Sequence, residues 1–355
     1  MGLLSPIGFI VRKDKGRIVV DPSNHVHEDS DSGALNDQLD KSNTDEVPRT
    51  YYASVMRRHY THIWNHRISH PEEDILLYKD DINSAFHRGR SHPDIAAAYA
   101  YMYGDWLVLP IGLIFGGRNS PGWFCLLSEL RAHIAAQYPG LASDPSFPLV
   151  DKITIPPPPP PEVIAAFQQA ELDTINPGAP APAPGSTHHA TFVDDNLMAE
   201  IHSHIVQSIQ RSTGSCYMMF GHPAPSLRIP SLSEDKYVPA ASHRMEQLGL
   251  DVDTRRMQVI YPPSKRADFL TAIDAGWSAG STHTQREIAT LLGHARTAST
   301  ILPLGSYFSI RIQQWLNACL QRLLTGSDPT GPRGIAIKRA WRSRSSFRTP
   351  ATIAR

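Results

Sequence analysis

A proline-rich stretch near the middle of the chain most strongly limits how the chain can fold. Residues 139–187 hold 13 of the chain's 30 prolines, including an unbroken run from Pro156 to Pro161. Proline has no amide donor and a fixed φ, so such a run favours polyproline II and cannot join the interior of a sheet. We therefore predict that 139–187 is an insertion that lies outside the core and is dispensable, with one short helix at 163–170.

The composition excludes several classes of protein. With 355 residues, 41% hydrophobic and 19% charged, the chain is too apolar to be wholly disordered and long enough for two or three modules. Its longest apolar run, Trp106–Phe115, has ten residues, whereas a membrane-spanning helix needs about 20. The three cysteines are odd in number and far apart, which argues against a disulfide scaffold. We expect no membrane partner and a cytoplasmic or nuclear location.

Short β-type apolar runs alternate along the chain with stretches of helical periodicity, which predicts a mixed α/β (α+β) fold. A capping box, Thr284 to Glu287, marks the start of one helix. Strands are predicted at 9–11, 18–20, 75–78, 106–110, 191–193, 248–252 and 257–260. Helices are predicted at 51–66, 121–138, 197–209, 284–303 and 307–324.

Acidic residues follow two of the predicted strands. Asp81 comes after the run 75–78, and Asp194 and Asp195 come after 191–193. Carboxylates at the ends of strands can converge in a cleft, where two divalent cations about 3.5–4 Å apart serve an in-line attack on phosphorus. Mg²⁺ suits such sites because it prefers carboxylates and phosphate oxygens. A single Asp-Asp pair after a strand is nevertheless more often a turn or a helix cap.

A glycine-containing segment, Phe115 to Pro121, lies between the two acidic points and directly before a predicted helix. Glycines allow the backbone to approach a substrate closely. The segment is not a Walker A loop, because no Gly-Lys-Ser/Thr follows. By itself it is typical of a turn and a helix start, and only its position between the acidic points indicates a functional role.

Taken in order, these motifs resemble the polymerase domain of retroelement reverse transcriptases. The resemblance covers most of residues 5–325 apart from the proline-rich stretch. It is closer to long-terminal-repeat and tyrosine-recombinase retrotransposons than to telomerase or introns. The matching segments are a fingers hairpin at 5–21, the first catalytic motif at 81–86, the second at 115–121, the aromatic-x-Asp-Asp box at 192–195, Lys236, a primer-grip hairpin at 248–251 and the first thumb helix at 287–299.

The resemblance implies a two-metal site. Asp81 and Asp194 would ligate two Mg²⁺ ions, or Mn²⁺ in their place, with help from the Ile82 carbonyl. Asp195 would complete the catalytic cluster. The reaction implied is template-directed DNA synthesis, in which a primer 3′-hydroxyl attacks a deoxynucleoside triphosphate. The implied partners are an RNA or DNA template, a DNA primer and deoxynucleoside triphosphates, and the oligomeric state is left open.

The resemblance also implies binding residues. Arg12 or Lys13, with Arg17, would hold the triphosphate through charge-assisted hydrogen bonds. The ring of Phe86 would lie under the sugar and exclude a 2′-hydroxyl. The remaining nucleotide-binding residues implied are Phe115, Gly116 and Lys236. Those implied for primer and template are Leu248, Gly249 and Gly293.

Ordinary structural roles compete with these assignments. Arg12, Lys13 and Arg17 have the character of hairpin surface charges, Phe86 that of a core aromatic, and Lys236 that of a solvent-facing lysine. Four further histidines come as scattered pairs, which are more often surface or satisfied residues, so we predict no zinc site. These histidines are His188, His189, His202 and His204.

The expected architecture is an antiparallel palm sheet covered by helices, with a fingers hairpin and a helical thumb. Its expected divisions are partial fingers and an acidic loop at 1–50, fingers and palm at 51–138, the insertion at 139–187, palm at 188–262, thumb at 263–325 and a basic tail at 326–355.

Two other functions compete with an active polymerase. Because no ribonuclease H, protease or integrase signature is present, we expect a fragment of a polyprotein or a degenerate copy. Such a copy would keep the palm fold and bind nucleic acid without catalysis. A polymerase of another family is disfavoured by the thumb-like segment at 284–305.

Overall fold

The structure is a computed structural model. It describes residues 7–12, 15–20, 55–138, 153–163, 188–221, 232–233, 240–277, 282–302 and 346–348, and part of 305–317. The chain divides into two compact units, Met1–Arg244 and Met245–Arg355. In the part of the chain that is described, none of the helices has both the length and the apolar character needed to cross a bilayer.

The fold combines helices with antiparallel sheets, as predicted. The strands are β1 (Ile7–Arg12), β2 (Lys15–Val20), β3 (Ile75–Asp81), β4 (Tyr101–Tyr103), β5 (Trp106–Val108), β6 (His189–Phe192), β7 (Asp195–Ile201), β8 (Arg244–Gln247), β9 (Leu250–Asp253), β10 (Gln258–Ile260), β11 (Thr282–Thr284) and β12 (Ser346–Arg348). The helices are α1 (Val55–Ser69), α2 (Ala85–Arg88), α3 (Pro93–Ala98), α4 (Ser120–Gln137), α5 (Ile205–Phe220), α6 (Pro263–Gly276) and α7 (Gln285–Ser299).

The first unit is organised around a three-stranded antiparallel sheet with the strand order β3-β7-β6. The register of β3 and β7 runs from Ile75 opposite Ile201 to Asp81 opposite Asp195. Strands β6 and β7 form a hairpin that closes with Phe192 opposite Asp195. Two separate hairpins, β1-β2 and β4-β5, complete the strands that lie wholly within this unit.

A hydrophobic core cluster of the first unit lies on the face of the central sheet that packs against α4 and α5. Tyr78 and Met198 are register partners and are fully buried against α4 and α5. Phe124 of α4 and Ile209 of α5 are buried in the same cluster. Helix α4 begins as the sequence predicts, with a proline in its first turn, where a missing amide donor costs no helical hydrogen bond. Helix α1 packs along β6 and β7.

One secondary-structure prediction is wrong. The segment 197–209 is not helical from its start, because β7 continues to Ile201 and α5 begins only at Ile205. Leu197, Met198 and Ala199 are all buried, so this strand has apolar residues on both faces. A short continuous apolar run of this kind cannot be distinguished from a buried helix by periodicity.

The expectation that the proline-rich segment lies outside the core is wrong for its central part. The side chains of Ile153 and Ile155 pack against the core cluster. Thr154 forms an isolated parallel bridge, and its carbonyl accepts a hydrogen bond of 3.0 Å from the amide of Ala241. This pairing is open to the chain because the proline run begins only at Pro156, after the residues that make the bridge.

The rest of the proline-rich segment was predicted to be an insertion, and that prediction falls on 139–152 and 164–187, outside the described residues. The helix predicted at 163–170 lies outside them as well, except for its first residue. Residues 161–163 are helical.

The second unit combines a small sheet with two helices. Strands β9 and β10 form the hairpin that the sequence predicts, with Gln258 opposite Asp253, and β8 precedes β9 in the same sheet. Helices α6 and α7 pack together through the stacked rings of Phe269 and His294, whose centroids are 5.5 Å apart. The Tyr261 hydroxyl lies 3.1 Å from His294 Nδ1 and adds a hydrogen bond at this contact.

Candidate active site

The turn between β6 and β7 contains Asp194, one of the predicted catalytic residues, and its backbone conformation is constrained by its surroundings. Val193 and Asp194 are its two central residues, and Val193 has a φ of 57°. A β-branched side chain rarely adopts this left-handed conformation, which costs about 1–3 kcal/mol unless its surroundings enforce it. Here the Ser128 hydroxyl of α4 donates a hydrogen bond to the Val193 carbonyl, and the Val193 side chain packs against the core. The hydrogen bond from α4 and the packing of Val193 therefore hold the strained turn in place.

The end of β3 brings Asp81 next to this turn. Asp81 and Asp195 are register partners, and the amide of Ile82 donates a hydrogen bond of 3.2 Å to the Asp194 carbonyl. Side chains directly opposite each other on one face of an antiparallel pair have Cβ atoms about 4.5–5.5 Å apart. The three carboxylate-bearing residues predicted from the sequence are thus neighbours along the backbone at one end of the sheet.

The side chains of Asp81 and Asp195 lie on the opposite face of the sheet from those of the adjacent residues. Side chains alternate between the faces of a strand, so Asp80 and Asn196 lie on the opposite face, against α4 and α5. Asp81 is nevertheless only 6% exposed. Among the described residues, no group of three or more His, Cys, Asp or Glu side chains is arranged to hold a metal ion.

The chain reverses sharply after Asp81 and places an aromatic cluster beside the strand end. Ser84 has a φ of 55°, and α2 begins directly after it. The ring of Phe86, which is partly buried, meets the ring of Phe115 edge to face at a centroid distance of 4.8 Å. It also lies 5.4 Å from the ring of Phe124 in the core. The structure therefore brings together Phe86 and Phe115, two residues that the sequence assigns to the nucleotide pocket.

The loop that carries Phe115 is tied to the segment after α2. The Leu113 amide donates to the Gly89 carbonyl at 2.9 Å, and Gly112 forms a bridge with Arg90. A Cβ atom at Gly112 would lie 2.6 Å from the His87 carbonyl oxygen, so this close approach requires glycine. Gly116 has a φ of 98°, a conformation that other residues rarely adopt. Only Gly116 belongs to the predicted segment Phe115 to Pro121, and its positive φ accounts for a glycine at that position.

The other residues assigned to the nucleotide lie in the first hairpin or outside the described residues. Arg12 and Arg17 lie in the β1-β2 hairpin, where Arg12 is opposite Lys15 and Arg17 is opposite Ile10. Lys13 and Lys236, both assigned to the nucleotide, lie outside the described residues.

The primer-binding candidates lie in the second unit. Leu248 and Gly249 form the turn between β8 and β9, with φ values of 46° and 84°. Lys265 Nζ donates to the Gly249 carbonyl at 3.3 Å. Gly293 lies within α7, and a Cβ atom built there would meet nothing within 4 Å. Among the described residues, no neighbour therefore requires glycine at this position.

A buried polar network beneath the strand ends was missed by the sequence analysis. Arg131 of α4 donates two hydrogen bonds of 2.7 Å to the two carboxylate oxygens of Asp80. Burial alone would raise the pKa of Asp80, but the Arg131 charge and hydrogen bonds from Arg131 and Ser212 outweigh it and lower this pKa. The doubled Asp80-Asp81 after a strand was the available signal, because alternation puts one of two adjacent residues on the buried face.

A cluster of histidines at α1 was also missed. The ring of His188 stacks on His62 at 4.4 Å, and His66 meets His62 edge to face at 4.2 Å. The interpretation of His188 as one of several scattered histidines is therefore wrong. Burial, followed by the neighbouring histidines, lowers the pKa of His62 to about 2 and that of His66 to about 4. These rings are neutral at pH 7 and act as packing groups.

Comparisons with known proteins give little beyond this geometry. No protein-family model matches the sequence, and no curated protein matches it significantly. Among solved structures, the chain is similar to a foamy viral protease-reverse transcriptase dRH in complex with ds DNA, at 12% identity and a TM-score of 0.48, over 96% of this chain and 43% of that chain. A foamy viral protease-reverse transcriptase in complex with RNA/DNA hybrid matches at 12% identity and a TM-score of 0.41, over 87% of this chain and 30% of that chain.

The chain spans less than half the length of these two structures. At 12% identity and with TM-scores below 0.5, the similarities decide neither the fold nor the activity of this chain.

Proposed function

We propose that the chain is an RNA-directed DNA polymerase of the retrotransposon type, which extends a DNA primer on an RNA or DNA template. The observation that carries this proposal is the pairing of Asp81 with Asp195 beside the turn that holds Asp194. Like charges directly opposite each other in a sheet are destabilising. Two adjacent carboxylates can share a divalent cation, which would offset this repulsion.

The donor set fits magnesium. Asp81, Asp194 and Asp195 offer carboxylate oxygens, and the Ile82 carbonyl offers a fourth hard donor. Magnesium usually takes only one or two protein carboxylates and completes its shell with water and substrate phosphates, so a complete three-residue cage is not required. Once bound, two Mg²⁺ ions, or Mn²⁺ in their place, would neutralise the charge that develops on the transferring phosphoryl group.

The residues around the carboxylates would bind and orient the substrates. The paired rings of Phe86 and Phe115 would form the wall under the sugar of the incoming nucleotide. Arg12 or Lys13, with Arg17, would hold its triphosphate, and Lys236 would assist. The primer 3′-hydroxyl would lie in line with the α-phosphate, and holding the reactants in this orientation supplies much of the rate enhancement.

The proposed layout assigns each element a role. The β3-β7-β6 sheet with α4 and α5 is the palm, and the β1-β2 hairpin belongs to the fingers. Helices α6 and α7 belong to the thumb. The turn at Leu248 and Gly249, together with Gly293, would contact primer and template.

A primer-extension assay tests the proposal. The full chain is incubated with an oligo(dT) primer on a poly(rA) template, with dTTP and Mg²⁺. We expect extension that stops when the metal is chelated, and a loss of at least about 10²-fold in Asp194→Asn, since each group that stabilises transition-state charge contributes on this scale. Asp194 is partly exposed at a turn, so its amide variant should keep the fold.

Two results would contradict the proposal. No extension by the wild-type chain, together with filter binding of the same primer and template, would replace the proposal with a non-catalytic nucleic-acid-binding remnant. Extension by Asp194→Asn at the wild-type rate would remove the turn from the active site.

A further inference from the structure

The strand ends that carry the candidate catalytic carboxylates have a second, buried face. Asp80 and Asn196 are register partners there, one step before Asp81 and one step after Asp195. Both are at most 2% exposed. Contacts that hold Asp80 and Asn196 in place therefore also constrain Asp81 and Asp195, because each pair is adjacent along the backbone.

Asp80 is held from several directions at once. Its two oxygens accept the bidentate pair from Arg131 at 2.7 Å. One of them also accepts from the Ser212 hydroxyl of α5 at 2.8 Å and from the Asn196 side-chain amide at 3.3 Å. The Ser212 hydroxyl in turn accepts from Arg131 and Asn196, each at 3.0 Å. The four side chains form a closed network that links β3, β7, α4 and α5.

The same face of α4 also holds the catalytic turn. Ser128 and Arg131 are three residues apart, which places them side by side on one face of a helix. Ser128 donates to the Val193 carbonyl in the turn, while Arg131 grips Asp80 in β3. One rigid helix therefore sets the position of both chain segments that supply the carboxylates.

We propose that Arg131 and Asp80, with Ser212 and Asn196, are positioning residues that set the spacing of the catalytic carboxylates. This inference rests on the polymerase function proposed above. A misplacement of about 1 Å between reacting groups can cost about 10²-fold in rate. A buried ion pair is no better for stability than well-packed apolar residues of similar volume, so stability alone does not account for the network.

The test separates positioning from folding. In the double variant Asp80→Leu/Arg131→Met, both charges are removed together, so neither is left buried without its partner. We expect a cooperative unfolding transition, a kcat for nucleotide incorporation reduced about tenfold or more, and a KM for dTTP within about twofold of wild type. Arg131→Lys keeps the charge but loses the bidentate fork, and should give an intermediate kcat.

The matched control is Glu200→Gln. This substitution also changes a buried carboxylate, but one in β7, four residues from Asn196. It should leave kcat unchanged. If the double variant folds and keeps the wild-type kcat, the positioning role is wrong. If the double variant does not fold, Ser212→Ala removes one donor to Asp80 in a folded chain, and an unchanged kcat in that variant also overturns the inference.

A second measurement distinguishes failure of this inference from failure of the proposed function. If the wild-type chain extends no primer, the polymerase proposal fails, and Mn²⁺ titration followed by electron paramagnetic resonance still reports the spacing of the carboxylates. We then expect Mn²⁺ to bind the wild-type chain about tenfold more tightly than Ser212→Ala or the double variant. Equal affinities, or no binding by the wild-type chain, would overturn the positioning role.

Discussion

Two buried carboxylates on the same face of the central sheet are stabilised in opposite ways. Asp80, at the end of the sheet with the candidate active site, is paired with Arg131, and its pKa is lowered. Glu200, at the other end of β7, accepts hydrogen bonds from the Ile201 amide and the Ser208 hydroxyl, and burial raises its pKa to about 7. His66 Nε2 lies 3.4 Å from Glu200 Oε1 but is not aligned for a hydrogen bond.

The charge of Asp80 is fixed by its ion pair, whereas the charge of Glu200 changes with pH. The Arg131 guanidinium lowers the pKa of the Asp80 carboxyl, so its charge and its hydrogen bonds persist to lower pH than those of an ordinary aspartate. A carboxylate among neutral imidazoles changes its charge near neutrality, and its contacts change with it. The end of the sheet with the candidate active site therefore holds a charge fixed by an ion pair, and the end with the histidine cluster holds a carboxylate that titrates near neutrality.

The largest expected effect comes from removing one partner of the fixed pair. Arg131→Met leaves the Asp80 carboxylate buried without its countercharge, which costs about 3–5 kcal/mol of unfolding free energy. Glu200→Gln should instead raise the unfolding free energy at pH 8 by about 1 kcal/mol, because the amide needs no buried charge. Urea denaturation of both variants measures the contrast. Equal destabilisation by both substitutions would remove the distinction between the two ends.

Acid should unfold the protein through the histidine end. Burial first, and neighbouring charges next, lower the pKa of His62 to about 2 and the pKa values of His66 and His188 to about 4, all below the unfolded value of 6.5. The unfolded chain therefore binds protons first, and stability falls as the pH drops from about 6.5 to 4. Burial also lowers the pKa of His189 to about 4. Glu200 acts in the opposite direction between pH 7 and 4.5, but it is one group against four.

The pH profile of the unfolding free energy measures this effect. We expect a net loss on the order of 2 kcal/mol between pH 7 and pH 4.5. His62→Phe removes one titrating ring from the stack and should flatten the acid side of the profile. A wild-type profile that is flat over this range would show that the imidazoles are not buried as described.

The choice between ribonucleotides and deoxyribonucleotides tests the role of Phe86 in the candidate active site. Phe86→Ala should raise ribonucleotide incorporation about tenfold relative to deoxyribonucleotide, which corresponds to about 1.4 kcal/mol, because the ring no longer blocks a 2′-hydroxyl. Because Phe86 also packs on Phe115 and Phe124, we expect a stability loss of about 1–3 kcal/mol, less than for a fully buried ring. Single-nucleotide extension and a denaturation curve are read together. Stability loss with an unchanged sugar ratio would make Phe86 a core residue only.

The smallest effect is expected from the segment that meets the histidine end. The Pro156 carbonyl lies 3.0 Å from His202 Nε2, and Ile153 packs on the core. Ile153→Ala should cost about 1 kcal/mol, since the side chain is only partly buried, and should leave nucleotide incorporation unchanged. Thermal unfolding and the extension rate measured on the same preparation check both statements. A slower extension rate at unchanged stability would connect this segment to the active site.

Sequence reasoning was accurate where the signal is local. The two hairpins, the start of α4 and the order of the acidic points can each be read within a few residues, because turn chemistry and strand alternation act over short distances. The neighbouring positions of Asp81 and Asp195 also follow from two strands that end in acidic residues.

The parts that the sequence did not predict depend on distant contacts. Asp80 meets Arg131 across 51 residues and Ser212 across 132, and no local spacing encodes either contact. The helix predicted from Leu197 starts too early, because burial on both faces of β7 removes the period-two signal of a strand. The packing of Ile153 was missed because a proline-rich composition describes a whole segment and not the residues beside the run.

The central claim is that Asp81 belongs to a metal-dependent active site, and one Mg²⁺ titration of single-nucleotide incorporation tests it most directly. Wild type, Asp81→Asn and Glu200→Gln are compared on the same primer and template. We expect Mg²⁺-dependent incorporation in wild type and Glu200→Gln, and a rate at least about 10²-fold lower in Asp81→Asn at every Mg²⁺ concentration. Incorporation by Asp81→Asn at the wild-type rate and with the same Mg²⁺ dependence would contradict the central claim.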